Sequence, residues 1–168
     1  MKISLVIRKA TADDAMKLRE IRLRALREEP DAYGSTYEES ARYSIEQWVR
    51  MAGEWNYFLA LVHGQVVGMA SGGQFPPRPE ARWLYGMFVR REFRGTGVAD
   101  ALVETVVQWA RDEGVSTLGL HVTTSLARPV AFYTRLGFVP YGKPTPMDRD
   151  ATLTLQTMAK DLRDDGTH

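Results

Sequence analysis

The stretch that decides the fold is residues 89–114, VRREFRGTGVADALVETVVQWARDEG. Arg90, Arg91 and Arg94 crowd Gly95 and Gly97, and an apolar-striped segment follows with no proline or polar cluster in between. Leu102, Val106 and Trp109 share one stripe at helical spacing, with Val103 and Val107 beside it and Gly114 as a C-terminal stop. Just upstream, residues 82–89 (RWLYGMFV) predict a strand apolar enough to be central. Strand, glycine turn and helix in that order set the unpaired N–H groups of a helix head beside residues that lack a Cβ. That arrangement suits an anion, and a pyrophosphate is its natural occupant. Arg94 adds a forked cation matched to phosphate oxygens. A Walker loop would end in Gly-Lys-Ser/Thr, and this stretch has no lysine; a dinucleotide fingerprint would have a third glycine where Asp100 stands. The remaining alternative is a turn whose glycines are merely steric and whose arginines are solvated.

Working outward, residues 3–10 (ISLVIRKA) read as an opening strand. Thr11 and Asp14 have capping-box spacing, and Ala15, Leu18, Ile21, Leu23 and Leu26 predict a helix that Pro30 ends. A turn-rich connection carrying Tyr33 and Tyr37 leads to a second helix from Ser44 to about Ala52. Two apolar runs about His63-Gly64 predict a β-hairpin, and PPRPEA (residues 76–81) a rigid loop. After the central helix come a strand at STLGLHV (116–122), a helix containing Pro129 and closed by Gly137, and two last strands. Those strands, FVPYG and ATLTLQTMAK, are separated by a polar loop around Pro144 to Asp150. The order β α α β β β α β α β β implies a mixed α/β sheet, parallel in its central alternation and antiparallel at the hairpin. Residues 1–160 read as one domain and 161–168 as a frayed tail.

The motif RGTGVA matches, through Arg94, Gly97 and Ala99, the Arg-x-x-Gly-x-Ala form of the acyl-CoA loop of the GNAT superfamily of N-acyltransferases. VAFYTRLGFVPYG (130–142) is similar to that superfamily's helix-then-strand segment through Tyr133 and Gly137-Phe138, and REEPDAYGSTYEE resembles its helix-end loop. The resemblance implies a GNAT-like mixed, splayed central sheet flanked by helices. It also implies acetyl-CoA as cosubstrate, its pantetheine arm lying in the splay against backbone of Phe88 and Val89. Amides of Gly95, Thr96, Gly97, Val98 and Ala99 would cradle the pyrophosphate, with Arg94 shaping the turn and Asp100 pointing outward. The amide of Val89 would polarise the thioester carbonyl, and Tyr133 aligns with the tyrosine that protonates the leaving thiolate in many relatives. The bland alternative for Tyr133 is an amphipathic core residue.

Two departures stand out. Where many relatives have an asparagine seven residues before the tyrosine, this chain has Leu126, with Ser125 as a neighbouring substitute; and the strand before the loop carries Tyr85 but no carboxylate. The general base is therefore open among Tyr85, Glu80, His121 and a water chain. His121 has the pKa for the task, yet the alternation of Leu118, Leu120 and Val122 turns it to the other face of its strand.

The bulk numbers narrow the partners. Lys+Arg of 22 against Asp+Glu of 21 leaves a net charge of +1, which gives no global pull toward nucleic acid or an anionic membrane. No cysteine is present, which excludes a cysteine acyl-enzyme and fits a cytoplasmic location, and three scattered histidines imply no metal site. No apolar run approaches bilayer length. The acceptor is expected to be a small-molecule or peptide amine, with a homodimer compatible with the resemblance. Tyr33, Tyr37, Trp48 and Trp55 fall where acceptor pockets form, Trp48 reading better as core; Glu38 and Glu39 would suit a cationic amine, whereas Arg42, Arg78 and Arg82 would suit an acidic one. The expected reaction is transfer of acetyl from acetyl-CoA to a primary amine by direct attack in a ternary complex. The alternative is a non-catalytic acyl-CoA-binding or regulatory module on the same fold.

Overall fold

The computed structural model of the chain describes residues 4–74 and 78–163. Twelve main elements follow one another: β1 (Leu5–Lys9), α1 (Ala15–Glu28), α2 (Tyr37–Ala41), α3 (Ile45–Glu54), β2 (Asn56–Val62), β3 (Gln65–Gln74), β4 (Ala81–Val89), α4 (Val98–Asp112), β5 (Thr117–Thr123), α5 (Ala127–Arg135), β6 (Val139–Met147) and β7 (Asp150–Asp161). The strands form one sheet in the order β1-β2-β3-β4-β5-β7-β6. His63 and Gly64 both take positive φ, 50° and 77°, which closes the β2–β3 hairpin as expected for a two-residue turn.

β2 shows how one sheet serves two cores. Successive side chains of a strand point to opposite faces. Phe58, Ala60 and Val62 accordingly join the layer built on α4, with Leu102, Val106 and Phe138, while Tyr57, Leu59 and Leu61 join the layer built on α1 and α3, with Leu18 and Trp48. With both faces covered, the central strands are apolar throughout rather than alternating. Trp48 is 1% exposed and is core, as its helical stripe indicates.

The decisive feature is the pairing of β4 with β5. It is parallel, and it covers only Ala81↔Thr117, Arg82↔Leu118 and Trp83↔Gly119. Beyond those pairs no further β4–β5 partners follow, so the C-terminal halves of the two strands splay. β4 also bulges: its register against β3 shifts between Met69 and Ser71, and Gly86 takes φ 59° there.

Three expectations need correction. The connection before the second helix holds an additional short helix, α2, capped by the Thr36 side chain, which accepts from the Glu39 amide at 3.2 Å. The polar loop around Pro144 is mostly strand, since β6 runs to Met147 and only a two-residue turn precedes β7. β6 is an edge strand, where prolines 140, 144 and 146 forfeit N–H groups on a side that has no ladder partner. In the expected tail, Asp161 ends β7, and Leu162 is buried, its amide donating to Ser116 O at 2.9 Å. The remainder from 164 on, the opening Ile3, and Pro76 and Pro77 of the expected rigid loop lie outside the described residues.

Candidate active site

Gly95 and Gly97 take φ of 74° and 91°, and a Cβ placed on either would meet no protein atom within 4 Å. They are therefore not present to permit close packing. Their role is backbone shape in front of open space. Gly97 is the N-cap of α4 and offers no side chain to its amides, and the first amide to find a helical partner is Ala101, donating to Gly97 O at 3.1 Å. The N–H groups of Val98, Ala99 and Asp100 at the helix head thus have no intrahelical acceptor. Val98 turns its side chain into the core, leaving its backbone at the turn, and the Thr96 hydroxyl donates to Phe93 O, pinning the loop.

This turn opens onto a cavity of about 290 Å³ bordered by Phe88, Val89, Arg94, Gly95, Gly97 and Ala99 on one side and by Pro129, Phe132 and Tyr133 of α5 on the other. Charged groups ring its mouth. Arg94 donates to Glu29 Oε1 at 2.8 Å and Arg128 to the same oxygen at 3.1 Å. Asp100 borders the cavity and is held by Arg135 at 2.9 and 3.2 Å, so its charge is offset rather than left beside the helix head. Glu29, Arg128 and Arg135 had no signal in the sequence; they meet the loop only because α1 and α5 flank the splay.

Strand alternation decides which backbone groups face the gap. Arg90 N donates to Val67 O at 2.8 Å, so Arg90 points its peptide groups to β3, and Val89 points its own away from β3 into the splay. Phe88 again faces β3, which corrects the expectation that its backbone, with that of Val89, lines the gap. Met87, two residues before Val89, turns the same way, and its carbonyl accepts from Tyr33 Oη at 2.8 Å across the gap.

A second cavity, about 350 Å³, lies further along the splay, and Tyr33, Met87, Pro129 and Tyr133 border both. Tyr133 is 7% exposed, with the rings of Phe132 and Phe138 edge-on to it at centroid distances of 5.1 and 5.7 Å. Burial pushes its hydroxyl well above the usual phenol range, so it stays protonated. Tyr33 is raised too, first by burial and then by the neighbouring Tyr133 and Glu29. The second cavity also takes in Tyr85, Leu126 and His121. His121 packs against Trp83 at 4.7 Å, meets Thr157 Oγ1 through Nδ1 at 3.2 Å, and is lowered by burial. Glu80 is exposed, paired with Arg78 at 3.1 Å, and does not border either cavity. Arg82 pairs with Glu113, and Trp55 stacks on Tyr57. Among the described residues no group of three or more His, Asp or Glu is placed to hold a metal ion, and no helix is long and apolar enough to cross a membrane.

A splayed β4–β5 pair with a glycine turn heading the following helix defines a class, and comparison with known proteins agrees. The Acetyltransferase (GNAT) family matches residues 20–138, and the chain belongs to that family. N-acetyltransferase 8B of Rattus norvegicus is 33% identical over 102 residues, and N-acetyltransferase 8 of Homo sapiens 36% over 92. These matches take in 59% and 52% of this chain but only 41% and 40% of those proteins, so the chain spans about two fifths of the relatives' length. In fold it superposes on yncA of Salmonella typhimurium, solved with its cofactor acetyl-CoA, with TM-score 0.76 and 19% identity over 95% of this chain and 94% of that one. An N-acetyltransferase from Staphylococcus aureus Mu50 gives TM-score 0.75 at 21% identity, covering 95% and 99%.

Proposed function

We propose that the protein transfers the acetyl group of acetyl-CoA to a primary amine by direct attack. The observation that carries this reading is the continuity of two cavities along one splay: a helix head with uncapped amides opens the first, and Tyr133 stands at the junction with the second. The uncapped amides and Arg94 would hold the diphosphate of coenzyme A, and the pantetheine arm would run along the splay-facing edge of β4, where Val89 turns its peptide groups to the gap. The amine nitrogen attacks the thioester carbonyl carbon while the Val89 N–H stabilises the oxyanion. As the carbon–sulfur bond breaks, Tyr133 gives its proton to the departing thiolate, a role suited to a phenol that burial keeps protonated.

The ammonium proton must leave before attack. Of the groups bordering the acceptor cavity, the others that titrate are tyrosines and an arginine, which are poor bases near neutrality; His121, depressed by burial, is neutral there and takes that proton directly or through water. Thiol release measured over a panel of amines, with coenzyme A binding followed by calorimetry, tests the reading. Turnover with any amine supports it. Binding without turnover would assign the chain to a non-catalytic acyl-CoA-binding module instead.

A further inference from the structure

The guanidinium of Arg22 borders the second cavity and has no carboxylate partner among the described residues. Nη1 reaches Tyr57 Oη at 3.4 Å and Nη2 reaches Ser35 Oγ at 3.3 Å, both at the outer limit of a hydrogen bond, and Nε is buried without an acceptor. By contrast Arg94, Arg128 and Arg135, around the first cavity, are each matched by a carboxylate within 3.1 Å. The remaining described residues that border the second cavity include neither aspartate nor glutamate. A half-buried cation with only neutral neighbours is incompletely compensated, and an anion arriving there would gain charge-assisted bonds.

The cation is also close to where chemistry would occur. Nη1 lies 3.8 Å from the position a Cβ would take on Gly86, on the β4 bulge, and Met87, the next residue, borders both cavities. Gly86 and Val89, whose N–H would hold the oxyanion, are three residues or about 10 Å of strand apart. A hydrogen-bond length of about 3 Å at each end leaves about 4 Å between the acceptor's carboxylate and its amine. We infer that the acceptor is a small amine bearing a carboxylate near its amino group, of the amino-acid type, with Arg22 receiving the carboxylate. A polyamine or other multiply cationic acceptor would set its second positive charge against Arg22 with no acidic residue to offset it.

This inference rests on the transferase reading but has its own readout. Amino acids, their carboxamides, the matching amines without the carboxyl group, and diamines are titrated calorimetrically into the coenzyme A-loaded protein and, separately, assayed for acetylation with acetyl-CoA as donor. The expected result is that carboxamides and decarboxylated amines bind at least about tenfold more weakly than the parent acids. In Arg22→Gln the acids should fall to the level of their amides while coenzyme A affinity stays the same, and Arg22→Lys should recover part of the difference because it restores charge without the fork. Equal binding of acids and amides by the unaltered protein, or preference for diamines, overturns the inference while leaving amine acetylation standing. Carboxylate-selective binding without acetylation would keep Arg22 as the anion site and instead defeat the transferase reading. Because the first comparison needs no variant, a failure of Arg22→Gln to fold would not shield the inference.

Discussion

Tyr133 and Asp14 are both buried ionisable groups, and they sit in opposite electrostatic situations. Tyr133 has aromatic neighbours and a raised hydroxyl, so its proton is present throughout the working pH range. Tyr133→Phe should lower kcat by about 10²-fold, the usual scale of one acid catalyst, and leave acetyl-CoA affinity within twofold; an unchanged kcat would remove Tyr133 from the reaction. Asp14 accepts from both terminal nitrogens of Arg8, at 2.6 and 2.8 Å, and from the Thr11 amide at 2.8 Å, closing the capping box that the sequence shows. The Arg8 hydrogen bonds hold its carboxyl well below the usual carboxylate range. Its folded pKa being depressed, the stabilisation is full above the unfolded value of about 4 and fades as pH falls below it. Because the Arg8 side chain is 38% exposed, water screens part of the pair, and Asp14→Asn should cost about 1–2 kcal/mol at pH 7. Urea unfolding should show that gap narrowing at pH 3; a constant gap would mean the carboxylate charge is not the cause.

Among the elements, β3 and α4 meet closely at Gly72. A Cβ on Gly72 would lie 2.5 Å from the Trp109 ring, so Gly72 is there to let α4 sit down on the sheet. Gly72→Ala should therefore destabilise by about 1–3 kcal/mol in urea unfolding, through displacement of Trp109, with a red-shifted tryptophan emission as its signature. Elements of this kind were largely legible. The hairpin follows from His63-Gly64 between apolar runs, and α4 follows from the stripe of Leu102 and Val106 and the stop at Gly114. What escaped were elements whose signals are short or contradictory. α2 has five residues and one cap, too few for a periodic stripe, and the prolines of β6 read as a loop until the strand's place at the sheet edge makes their missing donors harmless.

At the scale of the whole molecule, the candidate site divides the same way. Gly95, Gly97 and Tyr133 were legible because backbone shape and a helix-borne phenol leave local patterns. Glu29 with Arg94, and Tyr33 with Met87, are 65 and 54 residues apart, and only the splay brings them together. Arg22 gave no warning at all, since one arginine among several on an amphipathic helix is ordinary until its lack of a counter-charge is seen. A ligand that lies along the splay touches α1's end loop, β4, α4 and α5 together, so it should stabilise the domain as a unit. Acetyl-CoA at about one hundred times its Kd should add roughly 2.7 kcal/mol to unfolding, read as a saturable rise in Tm.

The most direct test of the central claim is a calorimetric titration of coenzyme A and of pantetheine, which lacks the diphosphate, into the protein and its Gly97→Glu variant. If the uncapped amides of α4 hold the diphosphate, coenzyme A should bind the unaltered protein far more tightly than pantetheine does, and Gly97→Glu should abolish that advantage by placing an anion at the helix head. Equal affinity of the two ligands, or coenzyme A binding as tightly to Gly97→Glu as to the parent, would contradict it.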